Sequence, residues 1–300
     1  MTQFTTTEET TRLPDLIDVT ANGLKFSALA EGPAGGPLAL CLHGFPDTAF
    51  TWRHLLPELA RAGFRAVAPW MRGYAPTEVP GSPSYGVGAL VADTTALHGA
   101  LGGDGRAVLI GHDWGAIAAY PAASFAPERW SRVVTMAVPP PAAVGDKFLR
   151  YEQLKRSFYM FLFQTPLAEP AVSADDFAFI DNLWRDWSPG YDAAEDTPPV
   201  KDALRAPENL AAAIGYYRAF FGAVPPDPAY AAQAAVSTPP PQPTLYLHGE
   251  LDGCLGADTA RGAADALSPG SRAEIVPGVG HFLHVERPDL VDPMILEWLR

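Results

Sequence analysis

A carboxylate sits where a chain reversal would expose it. Val108-Leu109-Ile110-Gly111-His112-Asp113-Trp114-Gly115-Ala116-Ile117 runs from an apolar stretch through a Gly-x-Asp-x-Gly turn into small residues. A nucleophile held on a sharp strand-to-helix turn needs small neighbours, and Gly111 and Gly115 supply them. Serine at the central position would attack acyl carbon. A carboxylate is a weaker nucleophile, suited to displacement at a saturated carbon whose leaving group is activated. The plain alternative is that Asp113 caps the following helix, a common role for Asp. Two downstream motifs favour the nucleophile. His248-Gly249-Glu250-Leu251-Asp252-Gly253 follows the apolar run 244–247, and Pro277-Gly278-Val279-Gly280-His281-Phe282 follows the run 272–276. A carboxylate that accepts from an imidazole fixes its tautomer and supports its charged form. Asp252, deeper in its loop than Glu250, is the better acid, although it could serve only an Asx turn before Gly253. His281, between flexible glycines, is the better base. His284 is the nearby rival, and a satisfied loop histidine is the bland reading of either.

A second constellation lies upstream. In His43-Gly44-Phe45-Pro46 a tight loop can aim the Phe45 N–H at the same point as the Trp114 N–H, just past Asp113. Two convergent donors make an oxyanion hole, and losing one typically costs about 3 kcal/mol of transition-state stabilisation. His43 and His112 read as packing residues.

These residues must be brought together by the elements around them. Asn22-Gly23 between the runs 16–21 and 24–30 is a hairpin signal. Strands are then expected at 38–42, 65–68, 107–110, 132–138, 244–247 and 272–276, alternating with helices near 50–61, 87–101, after the Asp113 turn, near 257–267 and from 287 to 300. In a parallel sheet, the strand C-termini share one edge, where ligands bind. Between Pro139-Pro140-Pro141 and Pro239-Pro240-Pro241 the alternation stops and the chain becomes aromatic-rich and helix-patterned. Residues 1–138 and 243–300 therefore read as an α/β core, and 139–242 as an inserted helical cap. Within it, Pro207 is a favoured helix start, and Leu210, Ile214, Tyr217 and Phe221 share a face at helical spacing.

The 300 residues are 48% hydrophobic and 18% charged, enough for a large core with an insert. A formal charge of −13 disfavours a nucleic-acid partner. Cys41 and Cys254 make no disulfide framework, and Cys41 lies in an apolar run. The Thr- and Glu-rich start, Met1 to Thr11, has no signal-peptide pattern, and no run reaches membrane-spanning length. A cytoplasmic enzyme without membrane insertion is the expectation.

Taken together, His43-Gly44-Phe45-Pro46, Arg72-Gly73-Tyr74, Gly111-His112-Asp113-Trp114-Gly115 and Gly280-His281-Phe282-Leu283-His284-Val285-Glu286-Arg287-Pro288 closely resemble the α/β-hydrolase-fold epoxide hydrolases. The resemblance covers essentially the whole chain. It implies a mostly parallel central sheet flanked by helices, with the cap inserted. It also implies two cap tyrosines that donate hydrogen bonds to the epoxide oxygen. Tyr159, with Phe163-Gln164-x-Pro166 in register behind it, matches the first, and Tyr217 of Tyr217-Arg218 matches the second. The implied reaction opens a hydrophobic epoxide through an ester on Asp113, which water activated by His281 and Asp252 then hydrolyses to a vicinal diol. The expected pocket includes Phe45, Pro46, Trp114, Phe158, Phe163 and Phe282. No metal or organic cofactor is implied, and the partners are the epoxide and water; a homodimer is common among similar enzymes.

The same core motifs are shared with haloalkane dehalogenases, so haloalkane or haloacid dehalogenation is the alternative. Against it stand the tyrosine pair, Phe45-Pro46 where those enzymes carry a polar halide-binding residue, and Trp114 where haloacetate enzymes carry arginine. A non-catalytic ligand receptor on this fold is disfavoured by the intact Asp113, Asp252 and His281 set. No Gly-x-Ser-x-Gly occurs for an ordinary serine esterase.

Overall fold

Successive side chains of a strand point to opposite faces, so a strand apolar at every position must be covered on both. Strand β3 (Leu38–Leu42) does this: Leu38, Leu40 and Leu42 join one apolar cluster, and Ala39 and Cys41 join the other. The computed structural model describes residues 14–300, so the segment Met1 to Thr11 lies outside the described residues. Around β3 the chain builds an eight-stranded sheet in the order β1-β2-β4-β3-β5-β6-β7-β8. The others are β1 (Asp15–Ala21), β2 (Leu24–Glu31), β4 (Arg65–Pro69), β5 (Ala107–His112), β6 (Trp130–Met136), β7 (Thr244–Gly249) and β8 (Arg272–Val276). The β1–β2 hairpin turns at Asn22-Gly23, both at positive φ, as an Asn-Gly turn requires. β2 pairs antiparallel with β4, and every later neighbour pairs parallel. The loops after β3, β5, β7 and β8 therefore leave the sheet at one edge, and they carry Phe45, Asp113, Asp252 and His281.

Helices α1 (Leu55–Arg61), α2 (Val87–Ala100), α3 (Trp114–Phe125) and the closing Pro288–Leu299 flank the sheet. Three expectations are corrected. The helix expected over 50–61 begins as a 3-10 turn, Ala49–Arg53, before α1. The alanine-rich stretch expected as a helix near 257–267 forms only the short turns Ala257–Ala260 and Ala264–Ala266. Gly262 between them sits at φ +80°, which stops a helix from propagating. The strand expected at 132–138 runs over Trp130–Met136 instead, and Ala137 turns the chain with φ +66°.

Between β6 and β7 the described chain contains helices and turns but no strand. Phe158–Leu162, the kinked Ala168–Trp187, Thr197–Leu204 and Pro207–Phe220 are its main helices. In the last of these Leu210, Ile214 and Tyr217 are buried as expected, whereas Phe221, past the helix end, is 39% exposed. Among the described residues no helix is long and apolar enough to cross a membrane.

Candidate active site

Asp113 sits at φ +51°, ψ −115°, between β5 and α3. Its carbonyl accepts from Ile117 N, yet its side chain makes no capping bond. A non-glycine residue held at positive φ is strained and survives only where its surroundings over-determine it. The surroundings here are glycines. A Cβ on Gly111 would lie 2.3 Å from Gly115 O, and one on Gly115 would lie 2.0 Å from Leu42 O. Gly115→Ala is therefore expected to destabilise the fold by about 1–3 kcal/mol or more, read as a lowered thermal midpoint. An unchanged midpoint would show that the turn has slack. Gly44 plays the matching part on the facing loop, because its Cβ would lie 2.3 Å from the Asp113 Cβ. With that room, the Phe45 N–H donates to Asp113 Oδ1 at 2.8 Å. Trp114 is the first residue of α3, where backbone N–H groups have no partner within the helix.

His281 and Asp252 complete a chain of contacts. His281 Nδ1 bonds Asp252 Oδ2 at 2.9 Å, and Nε2 lies 3.7 Å from Asp113 Oδ2 with no hydrogen-bond partner of its own. The backbone at His281 is fixed from both sides: its N–H donates to Trp187 O, and the His112 ring bonds its carbonyl. Asp252 does both jobs that its sequence allowed, since Oδ1 accepts from Cys254 N and Leu255 N while Oδ2 takes His281. Glu250 is exposed, and its carboxylate accepts from Gly278 N. His284 is buried elsewhere, bonded to Thr51 and stacked on Trp52. His43 Nε2 accepts from Met71 N and its Nδ1 bonds Gly44 O, while burial holds its pKa down at about 4.

The electrostatics follow from two buried carboxylates around one imidazole. Burial alone would push His281 down, but Asp252 and Asp113 outweigh it and raise its pKa from 6.5 to about 10. Burial opposes the charge on Asp252 too, and His281 beside it still holds its pKa below the ordinary value. Protonated His281 thus contributes stability that is complete below pH 6.5 and is lost as the pH rises through about 10. The thermal midpoint is expected to fall over that window, and Asp113→Asn is expected to shrink the fall and to lower the His281 pKa in an NMR titration. An unmoved His281 resonance in that variant would remove Asp113 from the electrostatic pair.

Tyr159 and Tyr217 meet above Asp113, with ring centroids 5.5 Å apart. The Tyr159 hydroxyl contacts Cys254 Sγ at 3.4 Å. The Tyr217 hydroxyl is buried without a hydrogen-bond partner of good geometry, its ring edge-on to Trp114 at 5.1 Å. Burial pushes both phenols well above their ordinary pKa, so both stay protonated donors. Tyr216, the neighbour in sequence, instead donates to Arg72 O. Arg218 ties the two tyrosine-bearing helices together through Phe163 O and Glu169. Arg218 thus fixes the helix that carries Tyr217.

A cavity of about 520 Å³ opens over Asp113, Trp114, Tyr159, Tyr217 and Cys254. Of the other residues expected to line it, Phe45 and Phe163 pack against the tyrosine rings, and Pro46 holds the Trp184 indole through its carbonyl. Phe282 stacks on Trp184 at 3.5 Å, and Phe158 is 47% exposed. The walls come instead from Val87, Ile117, Phe148, Phe220 and both proline clusters, Pro139 to Pro141 and Pro239-Pro240. Prolines read from sequence as stiff connections are also the cavity lining. Cys254 joins the cavity without a motif of its own, and its place two residues beyond Asp252 is the available sequence signal.

Comparison with known proteins agrees with this geometry. The α/β hydrolase fold model matches residues 37–288. The chain is 32% identical over 288 residues to epoxide hydrolase 4 of Mus musculus, covering 93% of this chain and 77% of that protein. It is 33% identical over 294 residues to epoxide hydrolase 3 of Xenopus tropicalis, covering 93% and 76%. The crystal structure of an epoxide hydrolase from Vigna radiata superposes with a TM-score of 0.78 at 26% identity, covering 97% of this chain and 99% of that one. An elbow that carries aspartate in place of serine, an Asp252–His281 pair behind it, and identity spread over nine-tenths of the length make one assignment: the chain belongs to the α/β-hydrolase family and, within it, to the epoxide hydrolases.

Proposed function

We propose that the protein hydrolyses a hydrophobic epoxide to a vicinal diol in two steps, with segment 139–242 acting as the cap over the reacting atoms. Asp113 Oδ2 attacks one ring carbon. The C–O bond breaks, and the developing alkoxide takes its proton from the phenol pair Tyr159 and Tyr217. Forming the ester removes the Asp113 charge that helps hold His281 protonated, so the imidazolium gives its proton back to the phenolate and the neutral imidazole is free to act as base. His281 Nε2, steadied by Asp252, deprotonates a water that adds to the ester carbonyl. The resulting oxyanion rests on the Phe45 and Trp114 amides. The acyl–oxygen bond breaks while the alkyl–oxygen bond stays intact, and the departing alkoxide takes the proton that His281 removed from water. The diol leaves with a former Asp113 oxygen, water's oxygen replaces it, and the regenerated Asp113 acid returns its proton to His281.

The observation that carries this reading is the opposition across one apolar cavity of a carboxylate and two protonated phenols, one of them without a partner. A carboxylate and imidazole would serve any activated saturated carbon. The phenols add a proton source for a leaving oxygen that remains tethered to the product. The test is a panel of a styrene oxide, a terminal alkyl epoxide and a meso epoxide assayed for diol, beside matched haloalkanes assayed for halide. Diol without halide is expected. Halide release without diol would overturn the reading in favour of dehalogenation.

A further inference from the structure

Cys254 is used by nothing in that mechanism. Its thiol is buried, lines the cavity and touches the Tyr159 hydroxyl. Its Sγ also forms a group with a His281 nitrogen and an Asp113 carboxylate oxygen, each within 4.8 Å of the others and all three residues buried. One member of the group points at it with no partner, the fully buried His281 Nε2. We propose that Cys254, His281 and Asp113 form a binding site for a single thiophilic divalent cation, Zn²⁺ or Cd²⁺, which inhibits the enzyme by occupying its nucleophile and its base together.

Three arguments support the site. The donor set of one thiolate sulfur, one imidazole nitrogen and one carboxylate oxygen suits these ions, and three protein ligands leave a fourth position for water from the cavity. Donor atoms around such an ion lie about 3.5 Å apart; His281 Nε2 and Asp113 Oδ2 already stand 3.7 Å apart. Closing the sulfur onto them needs a movement of roughly an ångström, within reach of a side-chain rotation. The charge balance also favours a cation. With His281 neutral and Cys254 ionised, Asp113, Asp252 and the thiolate place three buried negative charges around the site. A divalent ion offsets two of them, leaving the same net charge as in the metal-free site with His281 protonated. Binding displaces the Cys254 thiol proton and the His281 Nε2 proton. Both protons must leave before the ion is held, so affinity should strengthen as the pH rises.

The experiment is a Cd²⁺ titration of the intact protein, followed by the ultraviolet thiolate-to-cadmium charge-transfer band and, in parallel, by epoxide turnover. One equivalent of Cd²⁺ is expected to produce the band and abolish turnover, with chelator reversing both and inhibition tightening from about pH 6 to about pH 8. Cys254→Ser and Cys254→Ala, each checked for folding, should lose the band. Their half-inhibitory concentration, each against its own metal-free rate, should rise on the order of a hundredfold. Cys41→Ala should retain the band, since Cys41 lies buried in the sheet core. The band reads the site whether or not the proposed hydrolysis is correct, and the inhibition arm alone rests on that reading. Wild-type protein without a band, or a band lost with Cys41 instead of Cys254, would overturn the site. So would inhibition that persists unchanged in both Cys254 variants, because the other buried ligand group among the described residues, Asp47, His112 and His284, contains no sulfur.

Discussion

His281→Gln is expected to turn the protein into a single-turnover reagent whose mass rises by that of one epoxide. The two steps ask different things of His281. Ring opening needs the Asp113 carboxylate and the phenols, whereas ester hydrolysis needs a base within reach of the ester carbonyl. Only His281 meets that need among the histidines of the site, because burial holds the His112 pKa down at about 3 and its Nε2 is spent on the His281 carbonyl. Glutamine keeps a polar side chain beside Asp252, so the pocket is not left with an unpaired buried carboxylate. Steady-state diol formation should fall by about 10⁴- to 10⁶-fold, the range for losing a member of a catalytic triad, while the adduct accumulates. Intact-mass measurement after epoxide addition reads it directly, and Asp113→Asn should show neither turnover nor adduct. A folded His281→Gln protein that binds the epoxide with an unshifted mass would refute the covalent scheme.

The parts of this site legible in the sequence are those whose geometry is local. Gly111, Gly115 and Gly44 are forced by atoms that would lie within 2.3 Å of a Cβ, so the requirement is written into residue type at fixed spacing. Asp252 and His281 are likewise each a few residues past a strand whose apolar run is visible. The closure of Asp252 on His281 follows once β7 and β8 lie side by side and parallel. The sheet was legible for the same reason, since strands such as β3 are apolar throughout and flanked by turn residues.

What the sequence hid is what depends on distant partners. Cys254 meets Tyr159 from 95 positions away, and no spacing rule connects a loop after β7 to a helix between β6 and β7. The pocket aromatics show a related limit. Phe45, Phe163 and Phe282 are all fully buried, but burial does not say whether a ring faces a cavity or another ring, and here Phe282 is spent on Trp184. The alanine-rich stretch after Asp252 shows propensity losing to context. Alanine favours a helix, yet Gly262 at φ +80° divides the segment into two turns. Local pattern marks the candidate residues; the walls around them come from tertiary packing.

Tyr217→Phe is expected to separate activity from stability in opposite directions. The Tyr217 hydroxyl is buried and unpartnered, and such a group costs the folded state its desolvation without a compensating bond. Removing it should leave the thermal midpoint unchanged or slightly higher. Ring opening should fall by about 10²-fold or more, as for loss of one donor to a developing oxyanion. Tyr159→Phe should cost a similar factor in rate but gain nothing in stability, because its hydroxyl already contacts Cys254. In the double variant no donor remains, and the loss should exceed either single one. Placing each change in the His281→Gln background isolates the step, since the rate of adduct formation then reports ring opening alone. Both phenols are held protonated by burial, so the donor effect should persist without an alkaline break up to about pH 10. A double variant that forms the ester at the rate of its parent would show that the phenols shape the cavity and do not take part in opening the ring.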